Sequence, residues 1–150
     1  KEYIFKFINL NPATDNVQFQ FQVNASGQSG FNETITSTFF TSWHNENDSN
    51  QAVGYTAASD QAQGTSYQTL FWSLGGDADE CGGGELHLFN PASTTYVKNF
   101  YSRLSGMGDS PMAMDLFSGG YFNVTAAITQ IDFKMSSGNF DGKIKMYGVL

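Results

Sequence analysis

Apolar and polar residues alternate along much of this chain with a period of two, which is typical of a β-strand with one buried face. The clearest run is 17–24, where Val and Phe take the odd positions and Gln and Asn the even ones. Farther along, Leu86 and Leu88 fall on one face of a strand, with His87 and Phe89 on the other. The remaining strands are predicted from similar runs at 3–8, 34–44, 53–56, 67–74, 94–104, 112–117, 121–127, 131–135 and a return strand holding Ile144 and Met146.

Short segments rich in Gly, Ser and Asn separate several of these strands, and such segments favour tight antiparallel hairpins. They lie at 25–30, at 119–120 and at 136–139. We therefore expect a hairpin between the two strands that flank each segment. In the last hairpin, Asp132 and Lys134 would share the outer face with the lysines of the return strand, where opposite charges pair across strands.

These runs amount to about ten short strands with no helical period between them, a rhythm typical of β-sandwiches and jelly rolls. Aromatic residues make up 15% of the chain and there are sixteen glycines, which suits a protein built of strands and turns. A chain of 150 residues is long enough for one domain with its own core. The sequence therefore predicts one all-β domain over 1–150, an antiparallel, jelly-roll-like β-sandwich.

The charge of the chain argues against two classes of partner. The formal net charge is −7, and 7–97 contains nine acidic residues without a single Lys or Arg. Nucleic acids and anionic membranes both attract basic surfaces, so neither is an expected partner. The sequence also lacks an apolar run of about 18 residues, the length that predicts a membrane-spanning helix.

No pattern in the chain predicts catalysis or cofactor binding. The two histidines, His44 and His87, lie on different predicted strands, and the single cysteine, Cys81, is surrounded by acids instead of cations. The acidic loop 77–80 lacks the ligand spacing of a calcium-binding EF-hand. There is no nucleophile elbow and no phosphate-binding glycine loop. We therefore expect no metal, no cofactor and no catalytic residue.

Aromatic residues near polar loops leave carbohydrate binding open as a function. Trp43 and Trp72, with Tyr55 or Tyr67, would form a stacking platform for a sugar, and neighbouring Asn or Asp would bind its hydroxyl groups. The alternative is that both tryptophans are core residues, as large aromatic side chains usually are. The platform would make the protein a receptor-binding module for host-surface glycan.

The composition also fits a protein that packs against other subunits. Seven Tyr, fourteen Phe and five Met are combined with only 14% charged residues. Tyr, Phe and Met are favoured in protein interfaces, whose centres are poor in charge. Such contacts predict a homo-oligomer, with a trimer as the expected form, and the outward Tyr147 and the loop at Trp43 are candidate contact residues.

Three segments together resemble one class of protein. They are FQFQVNASGQSGFNETITSTFF at 19–40, GELHLFNPASTTYVKNFY at 84–101 and IDFKMSSGNFDGKIKMYGV at 131–149. In this order they resemble β-rich structural proteins of tailed-bacteriophage virions. The resemblance implies a non-enzymatic subunit at the particle surface, either a head decoration or cement protein or a fibre or spike domain, packed against major capsid or tail proteins. It implies no catalytic or ligand-binding residues.

Overall fold

The computed structural model describes residues 1–149 and contains eleven β-strands. No helix occurs among these residues. The strands are β1 (Glu2–Pro12), β2 (Val17–Ala25), β3 (Ile35–Asn45), β4 (Gln51–Tyr55), β5 (Gln61–Gly64), β6 (Gln68–Leu74), β7 (Gly82–Phe89), β8 (Lys98–Met107), β9 (Met112–Phe122), β10 (Ile128–Met135) and β11 (Phe140–Val149).

The strands form two sheets in which every neighbouring pair is antiparallel. The large sheet has eight strands: seven follow the order β11-β1-β7-β8-β9-β3-β4, and β5 pairs with β3 beside β4. The small sheet has three strands in the order β10-β2-β6. The two sheets enclose one cluster of buried apolar side chains, which confirms the predicted all-β, antiparallel, jelly-roll-like sandwich.

Phenylalanines form the centre of the core, where the small sheet lies on the large one. Phe21 of β2 is fully buried and meets Phe100 and Phe122 of the large sheet edge-on, with ring centres 5.1 and 5.7 Å apart. Phe7 of β1 meets Phe19 of β2 in the same way at 5.1 Å. Pairs of this geometry contribute about 0.5–1.5 kcal/mol each beyond their burial. The alternation predicted for β2 is thereby confirmed, because its odd-numbered apolar side chains face this core.

The predicted hairpin between β2 and β3 is wrong. β2 pairs with β6 and β10 in the small sheet, whereas β3 pairs with β9, β4 and β5 in the large sheet. The connection therefore crosses from one sheet to the other. Buried Gln22 supports this crossing, since its Nε2 donates to the carbonyl oxygens of Glu33 at 3.0 Å and Ser66 at 3.1 Å. Local alternation is the same for a hairpin and a crossing, so only such distant contacts separate the two.

The predicted C-terminal hairpin is also wrong. β10 pairs with β2 in the small sheet and β11 pairs with β1 in the large sheet, so 136–139 joins the two layers. The reason is that the apolar face of β10 packs across the core: the ring centre of Phe133 lies 5.4 Å from that of Phe5 and 5.3 Å from that of Phe7. The charged residues of β10 and β11 therefore lie on different sheets, and the predicted charge pairing between them does not occur.

Gly119 and Gly120 lie inside a strand instead of a turn, because β9 pairs along its whole length with β3 and from Ala113 to Phe122 with β8. At Gly120 the backbone of β3 comes close: a Cβ there would be 2.4 Å from the carbonyl oxygen of Thr36 and 2.8 Å from the Cα of Ser37. A Cβ on Gly119 would have no neighbouring atom nearer than 3.8 Å. The glycine at 120 thus permits a close approach of two strands, a common role of glycine within sheets.

Three smaller predictions also differ from the structure. β8 begins at Lys98 instead of 94, and β7 begins at Gly82, inside the segment predicted as an acidic loop. β5 has no counterpart among the predicted strands, because its residues, QAQG, include no β-branched or aromatic side chain.

Lys98 is a fully buried cation at the start of β8. Its ammonium donates to three backbone carbonyl oxygens, those of Tyr96 at 2.7 Å, Thr125 at 3.1 Å and Val124 at 3.3 Å. Burial lowers the pKa of Lys98. Because an ammonium has three donors, this cage satisfies the group fully and ties the segment before β8 to the segment after β9.

Candidate functional site

Both tryptophans lie beside the core instead of standing on the surface as a platform. Trp43 of β3 and Trp72 of β6 are half-buried and pack against the apolar core. The indole Nε1 of Trp72 donates to Thr41 Oγ1 at 3.0 Å, so its polar edge is already occupied within the protein. This arrangement favours the core interpretation for both side chains.

Tyr147 lies far from the two tryptophans. It belongs to β11, the edge strand of the large sheet, and is 47% exposed on the outer side, as predicted. The strand of Trp43, β3, is five steps away in the sheet order, which is roughly 24 Å at about 4.8 Å per strand. The three residues predicted as contacts therefore do not form one site.

The outer face of the large sheet, directed away from the small sheet, carries exposed aromatic side chains. Alternation places them there: on β8, Phe100 and Leu104 point to the core, while Tyr101 and Arg103 point outward. Directly opposite residues of antiparallel strands share a face, so the registers of the other strands extend this surface across the sheet. We call it the aromatic face, and its large exposed aromatic side chains are Phe40, Tyr55, Phe89, Tyr101 and Tyr147.

One row of directly opposite residues crosses four neighbouring strands of this face, and it consists of Tyr55, Phe40, Phe117 and Arg103. Phe40 and Phe117 stack with ring centres 4.7 Å apart and planes 8° from parallel. The Arg103 guanidinium lies 5.1 Å from the centre of the Phe117 ring and pairs with Asp115 at 2.8 Å, which raises the pKa of Arg103. Phe40 and Phe117 are thus held in place by their neighbours, while Phe40 and Tyr55 stay exposed.

A second group on the aromatic face surrounds His87. The Tyr101 ring stacks on the imidazole, with centres 4.4 Å apart and planes 11° from parallel. His87 Nδ1 is hydrogen-bonded to Glu2 Oε1, and Nε2 lies 3.1 Å from Glu85 Oε1 in an ionic contact outside hydrogen-bond geometry. Glu85 also pairs with Lys6 at 3.3 Å.

The charges of this group decide what chemistry it can do. Burial acts to lower the pKa of His87, but Glu2 and Glu85 outweigh burial and raise it. His87 is in turn the main cause of the lowered pKa of Glu85. Both imidazole nitrogens face carboxylates of the protein, so neither is directed at a site for a reacting molecule. The arrangement is suited to fixing Tyr101 in position and not to general acid–base catalysis.

The outer side of the small sheet is different, because it is lined by amides. Gln18 Oε1 accepts hydrogen bonds from Gln20 Nε2 at 2.8 Å and from a threonine of β6. Beside them Tyr67 donates its hydroxyl to Asp132 at 2.8 Å, and the Lys134 ammonium lies 4.1 Å from its ring centre. Burial and then Asp132 raise the pKa of Tyr67 to about 12. Gln18, Gln20 and Tyr67 line a polar depression of about 300 Å³.

Two further kinds of site have no support in the part of the chain that the structure describes. Within 1–149, no three His, Cys, Asp or Glu side chains come together in a way that could hold a metal ion. Over the same residues, no helix has the length and apolar character needed to cross a membrane.

Sequence reasoning missed most of the aromatic face. It placed His87 and Phe89 correctly on the side away from the core, but it gave no role to Phe40 or Phe117. A signal exists in the two successive phenylalanines, because neighbouring residues of a strand point to opposite faces and one of the two rings must face outward. The structure buries Phe39 and leaves Phe40 outside. The stacking of Phe40 on Phe117 depends on the pairing of β3 with β9, which has no local signal.

Comparisons of the chain with models of known protein families, with curated proteins and with solved structures found no match. The candidate sites are therefore defined by the geometry of this chain alone, and they are the aromatic face and the amide-lined depression.

Proposed function

We propose that this protein is a non-enzymatic structural subunit of a tailed-phage virion. In this role it sits at the particle surface and packs against other virion proteins, such as major capsid or tail proteins, as a decoration or cement protein or as a fibre domain. The three segments at 19–40, 84–101 and 131–149 support the class of protein through their resemblance. The aromatic face supports the mode of action.

The observation that carries the proposal is the exposure of large rings on a sheet surface that the protein itself leaves uncovered. Phe40, Tyr55 and Tyr101 are 43%, 58% and 44% exposed. Large exposed apolar side chains gathered on one face of a protein are typical of a surface that contacts another molecule. Tyr and Phe are favoured at such contacts, since they bury a large area with few rotatable bonds.

The aromatic face is also preorganised for binding. Phe40 is held against Phe117, and Tyr101 is held against His87, before any partner arrives. Side chains that are already ordered lose less conformational entropy on association, so more of the burial energy is left for affinity. We therefore expect these rings to act as the main anchors of the interface.

The test is saturable binding of the purified protein to phage particles that lack it. Tyr101→Ala and Phe40→Ala should each weaken binding at least thirtyfold, as expected for an anchor worth about 2 kcal/mol. Gln20→Ala, on the outer side of the small sheet, is the matched control and should bind like the wild type. Circular dichroism and melting temperature confirm that each variant is folded. If particles bind none of the protein, or if both ring variants bind like the control, the proposal is wrong.

The amide-lined depression favours a second candidate function, recognition of host-surface glycan. Gln18, Gln20 and Asp60 offer donors and acceptors to sugar hydroxyl groups around Tyr67. In this case a glycan array should show binding that Gln20→Ala removes and Tyr101→Ala leaves intact. Trp43→Ala on the same array tests the tryptophan platform separately, since Trp43 lies away from this depression.

A further inference from the structure

Among residues 1–149, the large sheet ends on one side in β4 and the short β5, which both pair with β3, and on the other side in β11. β4 pairs only with β3, and β11 pairs only with β1. All five residues of β4 are exposed, and β11 is exposed from Asp141 to Val149. Unpaired edges offer rows of N–H and C=O groups to any further strand that approaches them.

The hydrogen-bond pattern shows which groups of β4 are free. Asn45 N–H donates to Asn50 O, and Thr56 N–H donates to Phe39 O, so these two pairs are hydrogen-bonded pairs of the antiparallel ladder. Bonded and non-bonded pairs alternate along such a ladder. The residues of β4 whose N–H and C=O groups point away from β3 are therefore Gln51, Val53 and Tyr55, and their side chains lie on the aromatic face.

The free groups of β11 follow from the same alternation. Asn90 N–H donates to Lys1 O, so Lys1 and Asn90 form a hydrogen-bonded pair of the antiparallel ladder. Because bonded and non-bonded pairs alternate, the odd-numbered residues of β1 bond to β7 and the even-numbered residues bond to β11. The residues of β11 that direct their N–H and C=O groups outward are therefore Ile144, Met146 and Gly148. Their side chains lie on the core side of the sheet, opposite to the aromatic face.

These two edges fit each other in parallel orientation. β11 and β4 are the first and the seventh strand in the order of the sheet, and neighbouring strands run in opposite directions. β4 and β11 therefore run in the same direction. A second copy placed beside the first with its aromatic face on the same side presents its β11 parallel to β4. In a parallel pair, residues that are hydrogen-bonded to each other have side chains on opposite faces of the sheet. The two edges meet this condition, because the outward-bonding residues of β4 have side chains on the aromatic face and those of β11 have side chains on the core side.

Charge selects this pairing over the pairing of two identical edges. Lys143 and Lys145 of β11 have no ion-pair partner among residues 1–149, in a chain whose net charge is −7. The turn before β4 carries Glu46 and Asp48, and the segment after it carries Asp60. Two β4 edges would bring acid to acid, and two β11 edges would bring lysine to lysine. The first half of β11 carries Asp141 with Lys143 and Lys145, which leaves it a net charge of +1 (two lysines less one acid). In the mixed pairing, parallel orientation places this half beside the acidic start of β4.

β4 also lacks the features that proteins use to prevent edge pairing. It contains no charged residue and no proline, and its register with β3 has no bulge. Lysines on an edge strand are one such protective feature, and on β11 they disfavour contact with another β11 while leaving contact with an acidic edge favourable.

From these observations we infer that copies of this chain associate head to tail, with β4 of one copy pairing in parallel with β11 of the next. Only the biological role of this association rests on the proposed function. The association itself depends on the sheet edges and not on the binding of the aromatic face to a particle. When Tyr55 faces Tyr147 of the next copy, the aromatic face continues from one copy to the next. Each copy has one edge of each kind, so the assembly is a ring of three or more copies or an open chain.

The test uses proline at outward-pointing positions. Val53→Pro and Met146→Pro each remove an N–H group that makes no ladder bond within the copy, so each blocks one edge at little cost to the fold. The wild type should have a mass in solution at least three times the 16.4 kDa of one chain. Each proline variant alone should be a monomer, and an equimolar mixture of the two should give a dimer that does not grow. Val53→Thr is the control and should assemble like the wild type.

Charge variants give a second readout in case a proline variant fails to fold. Lys145→Glu should weaken association at least tenfold, whereas Lys134→Glu, with the same change in charge on β10, should not. A monomeric wild type, a mixture that stays monomeric with both variants folded, or a Met146→Pro variant that still dimerises would each overturn the inference. Particle binding by such a monomer, lost in Tyr101→Ala, would leave the proposed function standing, so the two failures are distinguishable.

Discussion

Replacing Gly120 by alanine should destabilise the protein strongly, whereas the same change at Gly119 should not. An added Cβ at 120 would lie 2.4 Å from the Thr36 carbonyl oxygen and 2.8 Å from the Ser37 Cα, and both are backbone atoms that cannot rotate away. Relief requires β3 and β9 to separate by roughly 0.5–1 Å, and overpacking of this kind costs about 1–3 kcal/mol or more. We expect a loss of about 3 kcal/mol for Gly120→Ala.

Gly119→Ala is the matched control, because its Cβ would point to the aromatic face with 3.8 Å of clearance. Glycine costs conformational entropy in a strand, so this change should be neutral or stabilising by up to about 1 kcal/mol. The assay is urea unfolding followed by the fluorescence of the two half-buried tryptophans, with the melting temperature as a second measure. For a chain of this size, 3 kcal/mol corresponds to about 6–12 °C. Equal effects of the two substitutions, or a harmless Gly120→Ala, would refute the strand assignment of the glycine pair.

Two further predictions concern buried charge. The pKa of His87 is raised in the folded protein, so the contribution of its charge to stability is present below the unfolded pKa of about 6.5 and is lost as pH rises through the folded pKa. The difference in unfolding free energy between the wild type and His87→Gln should therefore shrink over this pH range. A difference that stays constant with pH would exclude the ion-pair explanation. Lys98→Met should cost about 2–4 kcal/mol in urea unfolding, because three carbonyl oxygens lose their donor in the interior; a variant as stable as the wild type would show that the cage contributes nothing.

The strands of this protein were largely predictable, whereas their pairing was not. Alternation is a property of neighbouring residues, so the faces of β2 and of the strand around His87 were evident from the chain alone. Alternation does not say which sheet a strand joins. β10 and β11 would have satisfied their patterns as a hairpin, and their separation into two sheets depends on Phe133 packing against Phe5 and Phe7 from the opposite layer.

The candidate site was predictable only in its parts. The outward position of Tyr147 followed from alternation along the last strand. The aromatic face could not be foreseen, because Phe40 and Phe117 are brought together by a register between β3 and β9 that joins residues 77 positions apart. The glycine pair shows the same limit: a double glycine favours a turn locally, and only the approach of a distant backbone explains it inside a strand.

The position of β1 between β7 and β11 constrains how the protein folds. Glu2 lies opposite both Phe89 and Val149, so β1 has both of its partner strands only after residue 149 has been synthesised. Closing such large loops is entropically costly before the contacts form, and topologies dominated by distant pairings fold slowly. Until β11 has been made, one side of β1 is open, and that side offers its N–H and C=O groups to β11 of another molecule as well. Strand exchange during synthesis is thus a hazard of this topology, and rapid pairing of β11 with β1 of the same chain protects against it.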